Sequence, residues 1–224
     1  TRDDLVALRD DGCEILIVAG YRWLIPDPEG ILPYAINFHP SPLPVGRGPY
    51  PLPRAILDNH AAWAVSCHKL TAEFDAGPVI GQKWFAIDPD ETLESLEIKT
   101  QFSGRQLASD IAAHFDLRWS QATHQERASY WPFLTEIDRI IDFSWPVSRI
   151  LRHVRAVGGL ESFAHLGGHS WAIRRAVGWK ESHNWAPGQV LDFYHSQMTI
   201  AASDGIIALT DFSLLPPSAS TRAS

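Results

Sequence analysis

The stretch INFHPSPLP, residues 36–44, sets an Asn and a His two positions apart and follows them with a Ser among three prolines. Those residue types suit acyl transfer to an amine. In that reaction the amine loses a proton while the carbonyl oxygen gains negative charge. His39 can accept the proton, and a well-placed general base contributes about 10²–10⁴ in rate. The carboxamide of Asn37 can donate an N–H to the developing oxyanion, a contact whose removal costs about 3–4 kcal/mol. A carboxylate beside the His favours its charged form and fixes its orientation. Asp75, in the tight turn of EFDAGPV (73–79), is the candidate.

Each residue also has a plainer reading. An isolated Asn-x-His is more often a pair of loop residues than a site, and an Asp before Ala-Gly is a turn residue by default. Ser41 with His39 and Asp75 would suggest a hydrolase triad, but no Gly-x-Ser-x-Gly elbow surrounds it. His39, His60 and His68 lack a zinc-ligand spacing, so no metal is expected. Cys67 fits a small buried hydrophobe, and the nine Trp residues fit core packing. Arg22 and Arg47 are the charges with the strongest claim to more than solvation.

What would position them is an α/β framework. Residues two apart on a strand point to one face, and α/β sheets bind ligands at strand C-terminal ends. The opening DDLVALRDDG predicts a helix that stops at Gly12. CEILIVAG (13–20) predicts a strand buried on both faces of a parallel sheet. AINFH (35–39), residues 61–71 and residues 78–87 predict further strands. Helices are expected from about Pro53 and over 91–115, the second interrupted near Ser103-Gly104. This order predicts an α/β domain with a mostly parallel sheet. Residues 116–135 are polar with scattered aromatics, as a crossing linker would be. Beyond them PVSRILRHVRAV (146–157) has one apolar helical face, and strand-like pieces then alternate with Gly turns, predicting a small β-barrel or sandwich. The tail PPSASTRAS (216–224) has no core-forming residue and is expected to be disordered.

Composition narrows the function classes. The chain is 45% hydrophobic, which supports a packed core, and its net charge of −7 offers no general attraction to nucleic acid or anionic lipid. No apolar run is long enough to span a membrane, and the charged opening is no signal peptide. Cys13 and Cys67 have no paired spacing, so two reduced thiols and a cytoplasmic setting are expected. The chain starts at Thr1 and its one Met is Met198, which suggests that a front segment is missing.

Taken together, Asn37 and His39, the loop Ser41-Pro42-Leu43-Pro44, Arg47-Gly48 and Asp75-Ala76-Gly77 resemble the motif set of the folate-dependent formyltransferases. That family holds methionyl-tRNA formyltransferase and relatives that formylate amino sugars and other small amines. The similarity continues through RIIDFSWPVSRILRHVRAV (139–157) and PGQVL (187–191). The resemblance implies a partial Rossmann-like catalytic domain over 1–118, a linker over 119–135 and a small OB-like barrel domain over 136–215. It implies that Asn37 and His39 polarise the formyl group, that His39 takes the amine proton and that Asp75 supports the charged ring. It implies 10-formyltetrahydrofolate as cofactor, held by Gly20, Tyr21, Arg22, Leu24, Ile25, Ser41 and Gly77. Relatives also carry the first strands of the sheet ahead of the position matching Thr1, so an unpaired sheet edge is expected.

The acceptor is less marked. Residues 131–224 hold eight Lys plus Arg against eight Asp plus Glu, which gives little of the phosphate neutralisation that RNA affinity needs. GYRWLIP (20–26) also resembles the sugar-amine relatives more than the tRNA enzymes. A small-molecule amine is therefore expected, with methionyl-tRNA as the alternative. Formyltetrahydrofolate hydrolysis, or folate binding without catalysis, stands behind both.

Overall fold

The computed structural model describes residues 1–26, 28 and 30–216, so the expected tail beyond Pro216 lies outside the described residues. Two units appear. The first takes Thr1–Leu52, His60–Asp88 and Leu96–Phe133; the second takes Pro53–Asn59, Pro89–Ser95 and the chain from Leu134 onward.

In the first unit, α1 (Arg2–Asp10) starts on a capping box: Thr1 Oγ1 accepts the Asp4 N–H while the Asp4 side chain reaches back to the Thr1 backbone. Four strands follow, β1 (Ile15–Ala19), β2 (Tyr34–His39), β3 (Ala62–Lys69) and β4 (Val79–Ala86). They form one sheet in the order β1-β2-β3-β4. Along the chain α2 (Leu52–Leu57), which from Pro53 onward belongs to the second unit, falls between β2 and β3, and α3 (Leu93–Ala113) and α4 (Phe115–Ser120) follow β4. Through α3 the order of elements is the one the sequence predicts; α4 falls where a linker is expected. Ile36, Val65, Cys67, Ile80, Leu107 and Ile111 form the core against the sheet.

Four expectations need correction. The sheet is mixed rather than mostly parallel: β1 and β2 run parallel, while β2–β3 and β3–β4 are antiparallel. The short 70–78 connection explains the last pair, because a parallel pair needs a longer crossover. β1 is not buried on both faces; it ends the sheet order, and Ile17 is 60% exposed. Helix α3 runs through Ser103-Gly104 without a break. There Ser103 is buried and Gly104 faces Val65 of β3, so packing outweighs the roughly 1 kcal/mol propensity cost of a mid-helix glycine. The Trp residues are not uniformly core. Trp63 is fully buried, but Trp23, Trp84, Trp179 and Trp185 are exposed.

In the second unit α5 (Val147–Val157) buries Val147, Ile150 and Val154, the face expected from its sequence. Its partner is a five-stranded sheet of β5 (Ser162–Leu166), β6 (His169–Lys180), β7 (Val190–Tyr194), β8 (Gln197–Ala201) and β9 (Gly205–Leu214). The order is β5-β6-β9-β8-β7, every neighbouring pair antiparallel. Ile173, Ile200, Ile207 and Leu209 fill the space beneath the helix.

One glycine in the 70–78 turn is fixed by its surroundings. A Cβ on Gly77 would stand 1.8 Å from the Lys69 carbonyl oxygen at the end of β3. Backbone cannot yield as a flexible side chain does, so Gly77→Ala is expected to destabilise by about 1–3 kcal/mol or more. Chemical denaturation of the variant checks this; an unchanged midpoint would show that the turn has slack.

Candidate active site

β2 ends with Asn37 and His39 beside a cavity of about 540 Å³, which both residues line together with His68 and Asp75. Asp75 stands at the centre. It is nearly buried, and its backbone lies in the left-handed region at φ 53°. Its Oδ2 accepts the Gly48 N–H at 3.0 Å, and its Oδ1 accepts from Asn37 Nδ2 at 3.3 Å. The same Oδ1 lies 3.3 Å from His39 Nδ1 and 3.5 Å from His68 Nε2. Gly48 can serve because it has no side chain: its φ is 116°, and a Cβ there would sit 2.3 Å from the Trp131 carbonyl oxygen.

The turn that carries Asp75 is clamped from the segment expected as a linker. Gln125 Nε2 donates to the carbonyls of Asp75 at 2.8 Å and Gly77 at 2.7 Å, and Arg47 Nε donates to Gln125 Oε1 at 2.9 Å. Arg47 thus helps to hold the Asp turn.

His39 is almost fully buried, with Nε2 2.8 Å from the Gly46 carbonyl oxygen. A carbonyl can only accept, so Nε2 carries the hydrogen and Nδ1 faces Asp75. Burial pushes the imidazole below its ordinary value; Asp75 and the Gly46 carbonyl pull it partly back up, and His68 pushes it down. The resting ring is therefore neutral near pH 7, with a lone pair on Nδ1 turned toward a carboxylate. A proton taken there replaces that repulsion with an ion pair. For Asp75, burial alone would push the carboxyl up; the Gly48 N–H, and the His68 and His39 rings when either carries a proton on the nitrogen facing it, outweigh this and hold the group below its usual range. The arrangement can receive a proton and hold the resulting charge.

Of the residues expected to hold a folate, Gly20, Tyr21, Arg22, Leu24 and Ile25 all line the cavity. Tyr21 and Trp23 meet edge to face with centroids 5.4 Å apart, and both are exposed. Leu24, Ile25 and Val18 give the cavity apolar walls beside the polar cluster, a composition that fits a large planar ligand with a reactive end. Ser41 and Gly77 do not line it. Ser41 is fully buried, donating to the Val45 carbonyl at 2.8 Å while its own carbonyl accepts from Ser66 Oγ at 2.6 Å. It therefore secures the proline loop, and Gly77 packs against β3.

Sequence reasoning missed His68 as part of this cluster, having weighed it only as a zinc ligand. It opposes Asn37 in the β2–β3 register and is 1% exposed. Its signal in the sequence is a lone His inside the apolar strand AVSCHK, which gains meaning only once the register is known. Among the described residues no group of three or more His, Cys, Asp or Glu is arranged to hold a metal ion. No described helix is long and apolar enough to cross a membrane.

The chain is similar to known proteins over most of its length. The family model for formyl transferases matches residues 3–111, and that for the formyl transferase C-terminal domain matches 134–215. The methionyl-tRNA formyltransferase of Pseudothermotoga lettingae is 31% identical over 205 residues, 88% of this chain and 66% of its own length. HypX from Aquifex aeolicus, solved with tetrahydrofolic acid, superposes with a TM-score of 0.72 at 20% identity over 96% of this chain and 38% of that one. The N-formyltransferase of Helicobacter canadensis, solved with folinic acid and dTDP-3-aminofucose, gives 0.67 at 17% identity over 86% and 71%. The chain spans about half to 70% of the length of the curated relatives it matches. With both family domains matched in order, and the Asn37, His39 and Asp75 side chains gathered at one cavity, the chain belongs to the formyl transferase family.

Proposed function

We propose that the protein transfers a formyl group from 10-formyltetrahydrofolate to a primary amine. The observation that carries this reading is the meeting of Asn37, His39 and Asp75 at the wall of a cavity that residues 20–25 also line. Gly20, Tyr21, Arg22, Leu24 and Ile25 would hold the folate, which supplies an activated formyl carbon when bound. Transfer would form a bond from the amine nitrogen to that carbon and break the carbon's bond to the folate nitrogen, which leaves; His39 Nδ1 would take the proton the amine sheds, for return to the departing nitrogen. Asp75 then faces a cation and stabilises it. Asn37 offers an N–H to the formyl oxygen as charge develops there. The same reading divides the chain into a catalytic portion over 1–118, a linker over 119–135 and an OB-like barrel domain over 136–215, in a cytoplasmic protein.

For the acceptor we favour a small-molecule amine. The charge balance of residues 131–224 gives weak grounds for gripping RNA. Methionyl-tRNA is the second reading, favoured by relatives of that name at 30–31% identity. Incubation with 10-formyltetrahydrofolate and a panel of amines, alongside charged initiator tRNA at moderate salt, separates the two by mass spectrometry of the products. Formylation of small amines is expected. Formylation of the tRNA alone would move the assignment to the second reading, and formate release without any amine would point to hydrolysis.

A further inference from the structure

His68 lies in the cluster without a part in the transfer chemistry, yet it is fully buried and touches two of the three groups that have one. Its Nδ1 lies 2.7 Å from the Lys69 carbonyl oxygen. That carbonyl can only accept, so Nδ1 carries the ring hydrogen and Nε2 is left as an acceptor. Asn37 Nδ2, which can only donate, stands 3.1 Å from that Nε2. The tautomer set by β3's backbone therefore matches the orientation of the Asn37 carboxamide. With the amide reversed, its oxygen would face both a lone pair and the Asp75 carboxylate.

The triangle of distances says more. Asn37 Nδ2, His68 Nε2 and Asp75 Oδ1 are separated by 3.1, 3.3 and 3.5 Å. Seen from Nδ2 the two acceptors are roughly 65° apart, whereas the two amide hydrogens diverge by about 120°. One hydrogen placed between His68 and Asp75 serves both acceptors, and that placement frees the other on a residue that lines the cavity. We propose that His68 is a positioning residue: it fixes the Asn37 carboxamide so that one N–H is presented to the acyl oxygen of the substrate. The catalytic part of this inference rests on the formyl-transfer reading above; the positional part does not.

Two replacements separate the functions of the two ring nitrogens. His68→Asn keeps a donor near Nδ1 for the Lys69 carbonyl but leaves nothing at Nε2. His68→Gln reaches the Nε2 position with an acceptor oxygen. In the intact chain the expected result is a kcat for His68→Asn lowered about 10²-fold with little change in KM for the folate, and a kcat for His68→Gln within about tenfold of wild type. The second measurement needs no turnover. In ¹⁵N NMR, the Asn37 side-chain amide, assigned with Asn37→Asp, should show one proton shifted downfield and protected from exchange with water relative to the other. That pattern should persist in His68→Gln and collapse in His68→Asn. A sharp, unchanged Asn37 signal in His68→Asn, or equal rates in the two variants, would overturn the proposal. A wild-type protein that shows the amide pattern without transferring formyl groups would sink the function reading and leave the positional claim standing.

Discussion

We expect His39→Ala to lower kcat for formyl transfer by about 10²–10⁴-fold, the range a positioned general base supplies, with binding of a non-transferable formylfolate analogue falling by no more than about tenfold. The split follows from where the ring sits. It is nearly buried between the Gly46 carbonyl and Asp75, at the polar end of a cavity whose apolar walls come from other residues. On the proposed mechanism its neutral form is the active one in the wild type. Burial places its titration below the ordinary 6.5, so kcat/KM is flat around neutrality and falls on the acid side as the ring protonates. Stopped assays across the pH range, with calorimetry for the analogue, check both halves. Turnover within a few-fold of wild type in His39→Ala would remove His39 from the chemistry altogether.

The second large effect is expected at Asp75. Its φ of 53° makes Asn the clean replacement, because Asn tolerates the left-handed region where Ala is strained. An Asn can still accept the Gly48 N–H but carries no charge to meet a protonated His39. We expect Asp75→Asn to lower kcat by roughly 10³-fold. The pH profile supplies a sign that a folding defect does not. Asp75 raises the His39 titration and burial lowers it; with the anion gone, burial acts against less opposition. The acid limb of kcat/KM therefore moves to lower pH in the variant even as the plateau drops. A limb that stays in place or moves upward would show that Asp75 and His39 do not share a proton-linked contact. Measuring the melting midpoint of both proteins at the assay pH separates lost chemistry from lost structure, since Asp75 also anchors the loop at Gly48.

These expectations could be framed because much of the site is local in the sequence. Asn37 and His39 share a short strand, so the period of an extended chain sends both to one side. The prolines that follow exclude both helix and central strand, which puts the pair at an element's end. The Asp-Ala-Gly turn is punctuated by its own residue types. The helical face of α5 and the strand-by-strand alternation of the second unit are also periodic properties, legible without contacts.

What the chain could not declare by itself depends on register and on long-range partners. Whether β2 and β3 run parallel or antiparallel sets which residue of one faces Asn37 on the other, and the antiparallel pairing is what brings His68 there. Gln125 and Arg47 lie 78 residues apart and still share the hydrogen bond that holds the Asp75 turn. Ser41 and Gly77 were misplaced for the same reason: their types suit a binding loop, but the backbone of β3 and the Ser66 hydroxyl claim them for packing. Local propensity is written in consecutive residues, and so the residue types of the candidate site and most of the element order were readable. The distances that make three side chains one proton-handling cluster arise only when burial forces polar groups from separate elements to satisfy one another.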